Sequence, residues 1–482
     1  MGHKTAKEIL EEKDAIWKKS ARDFKIELKP FSELAIDVDI EHKVEVTVVE
    51  GISEICGVVL ETNLKYSFGS YVQLAISTFH GCKMNVLKAP ASKCVVSTET
   101  SLDTILNIHL SLEEFREEAV KTKSSMPVTL CVGGTQSGKL RGVETLLNYS
   151  LRQHPEQDRK IFYVDLNHSH NLLSIPGSLG AAIVQNPQSV REGFLLNLKN
   201  PVMYCFGHTN PFENISLFQY YVHKLSKLIN VKRKQMQDLE VIINIPSWIQ
   251  GSCYRLLLKT CQEFQVSHVI VFESCIAYNQ LIEDMPPFVK VIHTPRIISN
   301  LAQRTKSSRD QVDQNVEYFF GTPNRPLTPY KIELKKEDLK MFMIENVGVK
   351  GVTKIKKSTM LKATQGNLNE RYKSSVFGVI HSYHIINRKP EDYYKAVIHH
   401  YISIHTIKRD TIVIISLIPR SDLSLPLCLI VTEQKLRNNV YPIPFISDML
   451  ESEPDKKRES EPDKKRDRSR ERRRDTDRKR RR

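Results

Sequence analysis

The chain has 482 residues, 26% of them charged and 40% hydrophobic, with a formal net charge of +15, a length that accommodates two to four domains. No stretch approaches the roughly 18–20 apolar residues of a membrane-spanning helix, and the polar start Met1–Lys19 lacks a signal-peptide core. Nine scattered cysteines with no C-x-x-C pair argue against a structural zinc and for reduced thiols in a cytosolic or nuclear protein.

After a charged N-terminal extension (1–23), short β-rich segments separated by turn signals predict an antiparallel sandwich over 24–100. They are Val44–Val49, Ile55–Leu60, Lys65–Phe68, Tyr71–Ser77 and Lys83–Leu87. A connecting helix is predicted at Leu102–Lys123, with Ile105, Ile108, Leu112 and Phe115 on one face. The centre (101–321) alternates helical stretches with apolar strands at Val128–Val132, Ile161–Leu166, Val202–Phe206, Glu240–Ile245, His268–Phe272 and Val289–His293. Continuous apolar runs of that kind predict a parallel sheet covered on both faces. A proline-marked linker (322–330) leads to a smaller β-rich C-terminal domain (331–450), whose lysine-rich stretch 345–373 has little pattern. The overall expectation is an α/β chain: a central P-loop domain between a β-sandwich and a small β-rich domain.

The tail, 451–482, repeats Glu-Ser-Glu-Pro-Asp-Lys-Lys-Arg twice and runs into arginine clusters. It carries 16 Lys/Arg against 10 Asp/Glu, leaving 55 against 46 in the body, which is still basic enough to favour a polyanionic partner. So little apolar content cannot build a core. The clusters suit nuclear import or RNA contact, and a solvated tail is the bland alternative.

Chemistry concentrates at Gly133-Gly134-Thr135-Gln136-Ser137-Gly138-Lys139-Leu140-Arg141. A phosphate-binding loop reads G-x-x-x-x-G-K-[ST], in which backbone amides surround the phosphates, the lysine reaches the β/γ oxygens and the hydroxyl binds Mg²⁺. A strand enters this loop and a helical pattern leaves it, with Val143, Leu146, Leu147 and Leu151 on one face. Leu140 and Arg141 stand where the hydroxyls belong, and leucine cannot coordinate a hard cation.

Several spans in order resemble the Clp-one family, P-loop subunits of the pre-mRNA cleavage and polyadenylation machinery, some of which are RNA 5′-hydroxyl kinases acting in tRNA splicing. The spans include Gly51-Ile-Ser-Glu-Ile-Cys-Gly57, Phe79-His-Gly-Cys82, the loop at 133–139, Ser174-Ile-Pro-Gly-Ser-Leu-Gly180, Phe206-Gly-His-Thr-Asn-Pro211, Trp248-Ile-Gln-Gly-Ser-Cys-Tyr254 and Glu317-Tyr-Phe-Phe-Gly321. The resemblance implies that Glu27 and Lys65 help hold the adenine of ATP, against the alternative of solvated strand charges. It places Thr209 and Asn210 on the substrate side. It also implies that Trp248 clamps an RNA end by stacking; a core aromatic is the competing reading.

This chain departs from the family pattern in several places. Tyr163-Val-Asp-Leu-Asn167 puts Asn167 where the family has an aspartate, and an amide cannot serve as a general base. Gln136 replaces a frequent acidic residue in the loop. The two lid arginines align with Gln311 and Val316, and only a two-residue shift recovers one, as Arg309. Phosphoryl transfer depends on metal and electrostatic stabilisation, so the expectation is a largely non-catalytic nuclear scaffold of the 3′-end processing complex. It binds a polymerase-tail-recognising subunit, with structural ATP and no dependable Mg²⁺ site. An active RNA 5′-hydroxyl kinase and an RNA-binding module driven by the tail are the alternatives. The histidines at 381, 384, 399, 400 and 405 have no metal-ligand spacing.

Overall fold

The computed structural model describes residues 17–447, apart from 18–19, 40–41, 70–71, 99, 154–158, 188–189, 191–197, 237, 298–307, 323–324, 349–358 and 437–445. The tail and its clusters lie outside the described residues. Two β-sheets packed as a sandwich form the N-terminal region. One has the strand order 22–28, 82–88, 44–51, 65–68; the other runs 58–59, 54–55, 73–78, 32–37, 93–97. Alternation builds the first sheet: Val44, Val46, Val48, Tyr66, Phe68, Met84 and Val86 are buried together, while Lys65 and Lys83 stand exposed on the other face. The single strand expected at Ile55–Leu60 is instead two short strands around a turn, with positive φ at Cys56 (45°) and Gly57 (81°).

The central sheet contains β1 (Val128–Gly133), β2 (Ile161–Asp165), β3 (Ser178–Val184), β4 (Leu198–Cys205), β5 (Glu240–Asn244), β6 (His268–Phe272) and β7 (Lys290–Thr294). Their spatial order is β4-β3-β2-β5-β1-β6-β7. The sheet is mixed rather than parallel, because β3 runs antiparallel to both β2 and β4. The other neighbouring pairs are parallel.

Helices cover both faces, and strand alternation sorts the core into two clusters. Cys131, Tyr163, Ile242 and Ile270 face α1 (Leu102–Thr122) and α2 (Lys139–Gln153), where they meet Ile105, Leu112, Val143 and Leu146. Leu130, Val132, Val164, Val241 and Ile243 face α3 (Ile215–Gln235) and α4 (Gly251–Phe264), against Phe218, Tyr221 and Leu257. A buried ionic network pins α1 to the sheet. Arg116, 3% exposed, donates to both Glu240 oxygens (2.9 and 2.6 Å), to Glu113 (2.7 Å) and to Ser150 (2.9 Å). Two further helices, α5 (Cys275–Asp284) and α6 (Ser308–Phe320), complete this region.

The C-terminal region is an eight-stranded sheet ordered 359–366, 339–348, 427–435, 375–380, 398–407, 411–416, 330–335, 446–447. Strand 359–366 falls inside the stretch that shows no sequence pattern. This sheet contacts the central region where the Tyr401 hydroxyl meets Ser178 Oγ (2.7 Å) and where Glu433 meets His208 Nδ1 (2.6 Å). All nine cysteines are free thiols, and no helix among the described residues is long and apolar enough to cross a membrane.

Candidate functional site

β1 is buried along its whole length and delivers the loop to the carboxyl edge of the sheet, where α2 begins. Two of the glycines are required by contact. A Cβ at Gly133 would stand 2.6 Å from Ser137 Oγ and 2.9 Å from Phe272 Cβ. At Gly138, with φ +80°, it would meet the Ile297 carbonyl at 2.2 Å. The loop is held from within and from the strand-β7 exit. Ser137 Oγ donates to the Gly134 carbonyl (2.9 Å), the Ile297 amide to the Ser137 carbonyl (3.1 Å), and Arg296 Nε to the Gln136 carbonyl (3.1 Å). Gln136 adopts φ +67° and Thr135 is exposed.

Lys139 is 6% exposed, and its ammonium donates to the Ile245 carbonyl at the end of β5. A lysine at the helix start, close-packed glycines and a helix N-terminus together are a frame that fits a phosphate group. They do not fit Mg²⁺. Leu140 offers no donor atom, and the Arg141 guanidinium points away to Glu33 Oε2 (3.4 Å) and Ser77 Oγ (3.3 Å) of the sandwich.

The remaining acid cannot repair that loss. Asp165 is fully buried, and its oxygens accept from Tyr163 OH (2.9 Å), the Asn167 amide (3.0 Å), the Leu172 amide (2.7 Å) and Asn244 Nδ2 (3.1 Å). Burial raises its carboxyl to about 6 despite those donors. The carboxylate is thus occupied in shaping the turn after β2. Asn167, 9% exposed, accepts from the Ser169 amide (3.3 Å) and continues that turn. Among the described residues, no three His, Cys, Asp or Glu side chains converge as a metal site.

The other sequence-derived candidates scatter. Trp248 is 4% exposed, its ring 4.9 Å from Phe218 and 6.2 Å from His168, so of its two readings the core aromatic describes the observed position. A neighbourhood of Ser247 and Gln250 signals a loop correctly, but the loop inserts its ring into the core. Thr209 accepts from Ser169 Oγ through its carbonyl (3.2 Å), and Asn210 caps the following 3-10 turn. Glu27 is exposed opposite Lys83, and Lys65, on the other edge strand of the same sheet, pairs with Glu45 (2.9 Å). Neither converges on the loop through these contacts. Val316 is core, 7% exposed, whereas the side chains of Arg309 and Gln311 lie outside the described residues.

The sequence reading missed His168. It is 2% exposed among Phe206, Phe218 and Trp248, its Nε2 has no hydrogen-bond partner, and burial lowers it to about 4. Glu33 was missed too, because nothing local marks a carboxylate whose partner lies 108 positions away.

Residues 133–321 match the family described as mRNA cleavage and polyadenylation factor CLP1 P-loop, and residues 27–119 that described as the N-terminal beta-sandwich domain of polyadenylation factor. The chain is 31% identical over 335 residues to the polyribonucleotide 5′-hydroxyl-kinase Clp1 of Xenopus laevis, covering 69% of this chain and 74% of that protein. The chain belongs to the Clp1 family. The kinase of the same name from Homo sapiens is also 31% identical, over 325 residues (66% and 74%), and the CLP1 homolog of Drosophila mojavensis is 32% identical over 319 (65% and 73%). A solved complex of wild-type Clp1p with Pcf11p (454–563) superposes with a TM-score of 0.73 over 86% of this chain and 98% of the other, at 19% identity. That likeness extends the Clp1 fold to the C-terminal sheet, which the two family matches do not reach.

Proposed function

We propose that this Clp1-family chain is a largely non-catalytic P-loop scaffold in the nuclear pre-mRNA 3′-end cleavage and polyadenylation machinery. In this reading it docks protein partners, among them a polymerase-tail-binding subunit of the kind represented by Pcf11p in the solved complex. One observation carries the reading. At the two positions after the loop lysine, Leu140 is apolar and Arg141 is turned onto Glu33, so neither supplies a hydroxyl to a metal, which leaves only Thr135, Ser137 and Asp165 to hold one under the kinase alternative. Asn167 in place of an acid, and an Asp165 fully engaged in the fold, support it. Loss of a single preorganised donor costs on the order of 100-fold in rate, and phosphoryl transfer has little besides such stabilisation to lose. Gly133–Lys139 would hold the phosphates of ATP as a structural ligand.

Calorimetry of ATP binding, with and without Mg²⁺ and beside Lys139→Ala, tests the site, followed by an assay of phosphate transfer to 5′-hydroxyl RNA. The expected outcome is binding that Mg²⁺ does not strengthen, abolished by Lys139→Ala, and no transfer. Transfer of phosphate by the wild-type chain would establish the kinase alternative. Deleting 451–482 addresses RNA contact: the salt slope of RNA binding collapses only where the tail dominates.

A further inference from the structure

The loop helix carries a polar stripe that the P-loop chemistry does not use. Arg141, Asn148, Tyr149 and Arg152 recur at offsets 0, 7, 8 and 11, one face of α2. All four reach the N-terminal sandwich. Arg141 Nη2 contacts Glu33 Oε2 (3.4 Å) and Ser77 Oγ (3.3 Å), and Asn148 Nδ2 donates to the Cys56 carbonyl (2.8 Å). The Tyr149 hydroxyl donates to Glu54 Oε1, and Arg152 Nη1 donates to Glu54 Oε2 and the Gly57 carbonyl (both 2.9 Å).

The receiving residues are built for this contact. Glu33 and Glu54 are 1% and 4% exposed. The turn Cys56–Gly57 comes so near that a Cβ on Gly57 would touch the Tyr149 ring at 3.0 Å. Ser77 Oγ (3.4 Å) and Thr100 Oγ1 (3.3 Å) also donate to Glu33, so its carboxylate is the centre of a small network rather than a stray surface charge.

Three of these anchors lie about two to three turns beyond Arg141 along α2, away from the phosphate frame. Arg141 alone sits in the first turn of the helix, one residue past Leu140, where the loop pattern calls for a hydroxyl. A serine or threonine in place of Arg141 is too short to cross to Glu33. Arginine reaches it with one guanidinium nitrogen and sets a permanent positive charge beside a carboxylate that burial holds above its ordinary range despite that charge.

We propose that α2 is an interdomain fastener and that Arg141, the residue next to the former metal-ligand position at Leu140, is its loop-proximal end. The sandwich then stays docked on the P-loop domain whether or not a nucleotide is bound at the loop. The inference rests on the non-catalytic reading in one respect: with leucine at the metal position, the residue beside it is available to the domain contact instead of the metal. The two fail separately, because RNA kinase activity of the wild-type chain would overturn that reading while leaving the fastener to its own test.

Hydrogen–deuterium exchange of the full chain, with and without millimolar ATP, provides that test. The readout is amide exchange in 32–37 and 73–78, with 161–165 as the internal control for global unfolding. Arg141→Ala is expected to speed exchange at the first two segments about tenfold, the factor for losing a charge-assisted hydrogen bond, and to leave 161–165 unchanged. Arg141→Lys should recover part of the protection. Glu33→Gln should mimic Arg141→Ala, and the double variant should exchange no faster than the faster single one. ATP should leave wild-type exchange unaltered. Unchanged exchange in Arg141→Ala, full additivity in the double variant, or strong protection of 32–37 and 73–78 by ATP would each overturn the proposal. If Arg141→Ala also frees 161–165, the near-isosteric Glu33→Gln decides by the same criteria.

Discussion

Acidification should unfold the central region well above the pH at which ordinary carboxylates titrate. Three buried histidines belong to it: His109 and His168, each 2% exposed, and His268, 6% exposed. Each has one ring nitrogen without a hydrogen-bond partner, and burial lowers each from 6.5 to about 4. At His109 the Arg116 guanidinium adds to that effect. The unfolded chain therefore binds three more protons than the fold between pH 6.5 and about 4, so stability falls as pH falls through that window. Asp165 works in the opposite sense. Its carboxyl, raised from 3.8 to about 6, takes up a proton in the fold first and stabilises it on acidification. A net difference of two protons gives a slope of about 3 kcal/mol per pH unit. Over the interval from about pH 6.5 to about pH 5 that slope amounts to about 4 kcal/mol, a substantial share of the roughly 5–15 kcal/mol typical of a domain. Urea titrations followed by the fluorescence of buried Trp248, between about pH 7 and about pH 5, measure the slope. His268→Gln should lower it by about one proton. A free energy of unfolding that stays flat over that interval would refute the argument.

Two further outcomes follow from burial. Arg116→Ala leaves the Glu240 carboxylate in the core without its cation, while Glu113 keeps Arg159 (2.5 and 2.8 Å), and should cost about 3–5 kcal/mol, seen as a large drop in Tm. Trp248→Ala removes an indole from between Phe218 and His168 and should cost about 3–5 kcal/mol through the cavity it leaves. Weakened RNA binding with an unchanged Tm would instead restore the stacking role.

What could be read from the sequence follows what local chemistry encodes. The glycine loop was legible because phosphate binding demands a fixed spacing of Gly and Lys between a strand and a helix, and β1, the loop and α2 fall there. Strand direction was not legible. β3, Ser-Leu-Gly-Ala-Ala-Ile-Val, was not among the expected strands at all, since glycine and alanine carry little strand signal, and it is the strand that makes the sheet mixed. Strand 22–28 escaped notice because all but Ile26 and Leu28 are exposed, so no alternation marks it. Strand 398–407 was hidden by histidines within an otherwise β-branched and aromatic run. The same limit explains Trp248, whose polar neighbours describe its backbone and say nothing of where its ring is inserted.

The departures at the loop make physical sense as one change rather than several. A Mg²⁺ site needs a hydroxyl at the helix start and an acid free to approach it from the neighbouring strand. Here the helix start is apolar at Leu140 and cationic at Arg141, and a cation beside a would-be metal position repels the metal. Once no metal is held, the strand acid can be buried. Asp165 then serves best with its lone pairs filled by the Leu172 and Asn167 amides and by Tyr163 and Asn244, which fixes the turn leading to Asn167. Restoring a single part should accordingly restore nothing. Arg141→Thr leaves Glu33 buried without its cation, and Asn167→Asp supplies an acid while the helix start still lacks a hydroxyl at Leu140. Only the pair Leu140→Ser and Asn167→Asp, with Arg141 kept on Glu33, rebuilds both metal contacts without undoing the fastener. Mg²⁺-dependent tightening of ATP binding in that double variant, absent from either single one, is the expected result. The same tightening in one single variant alone would show that the departures are independent.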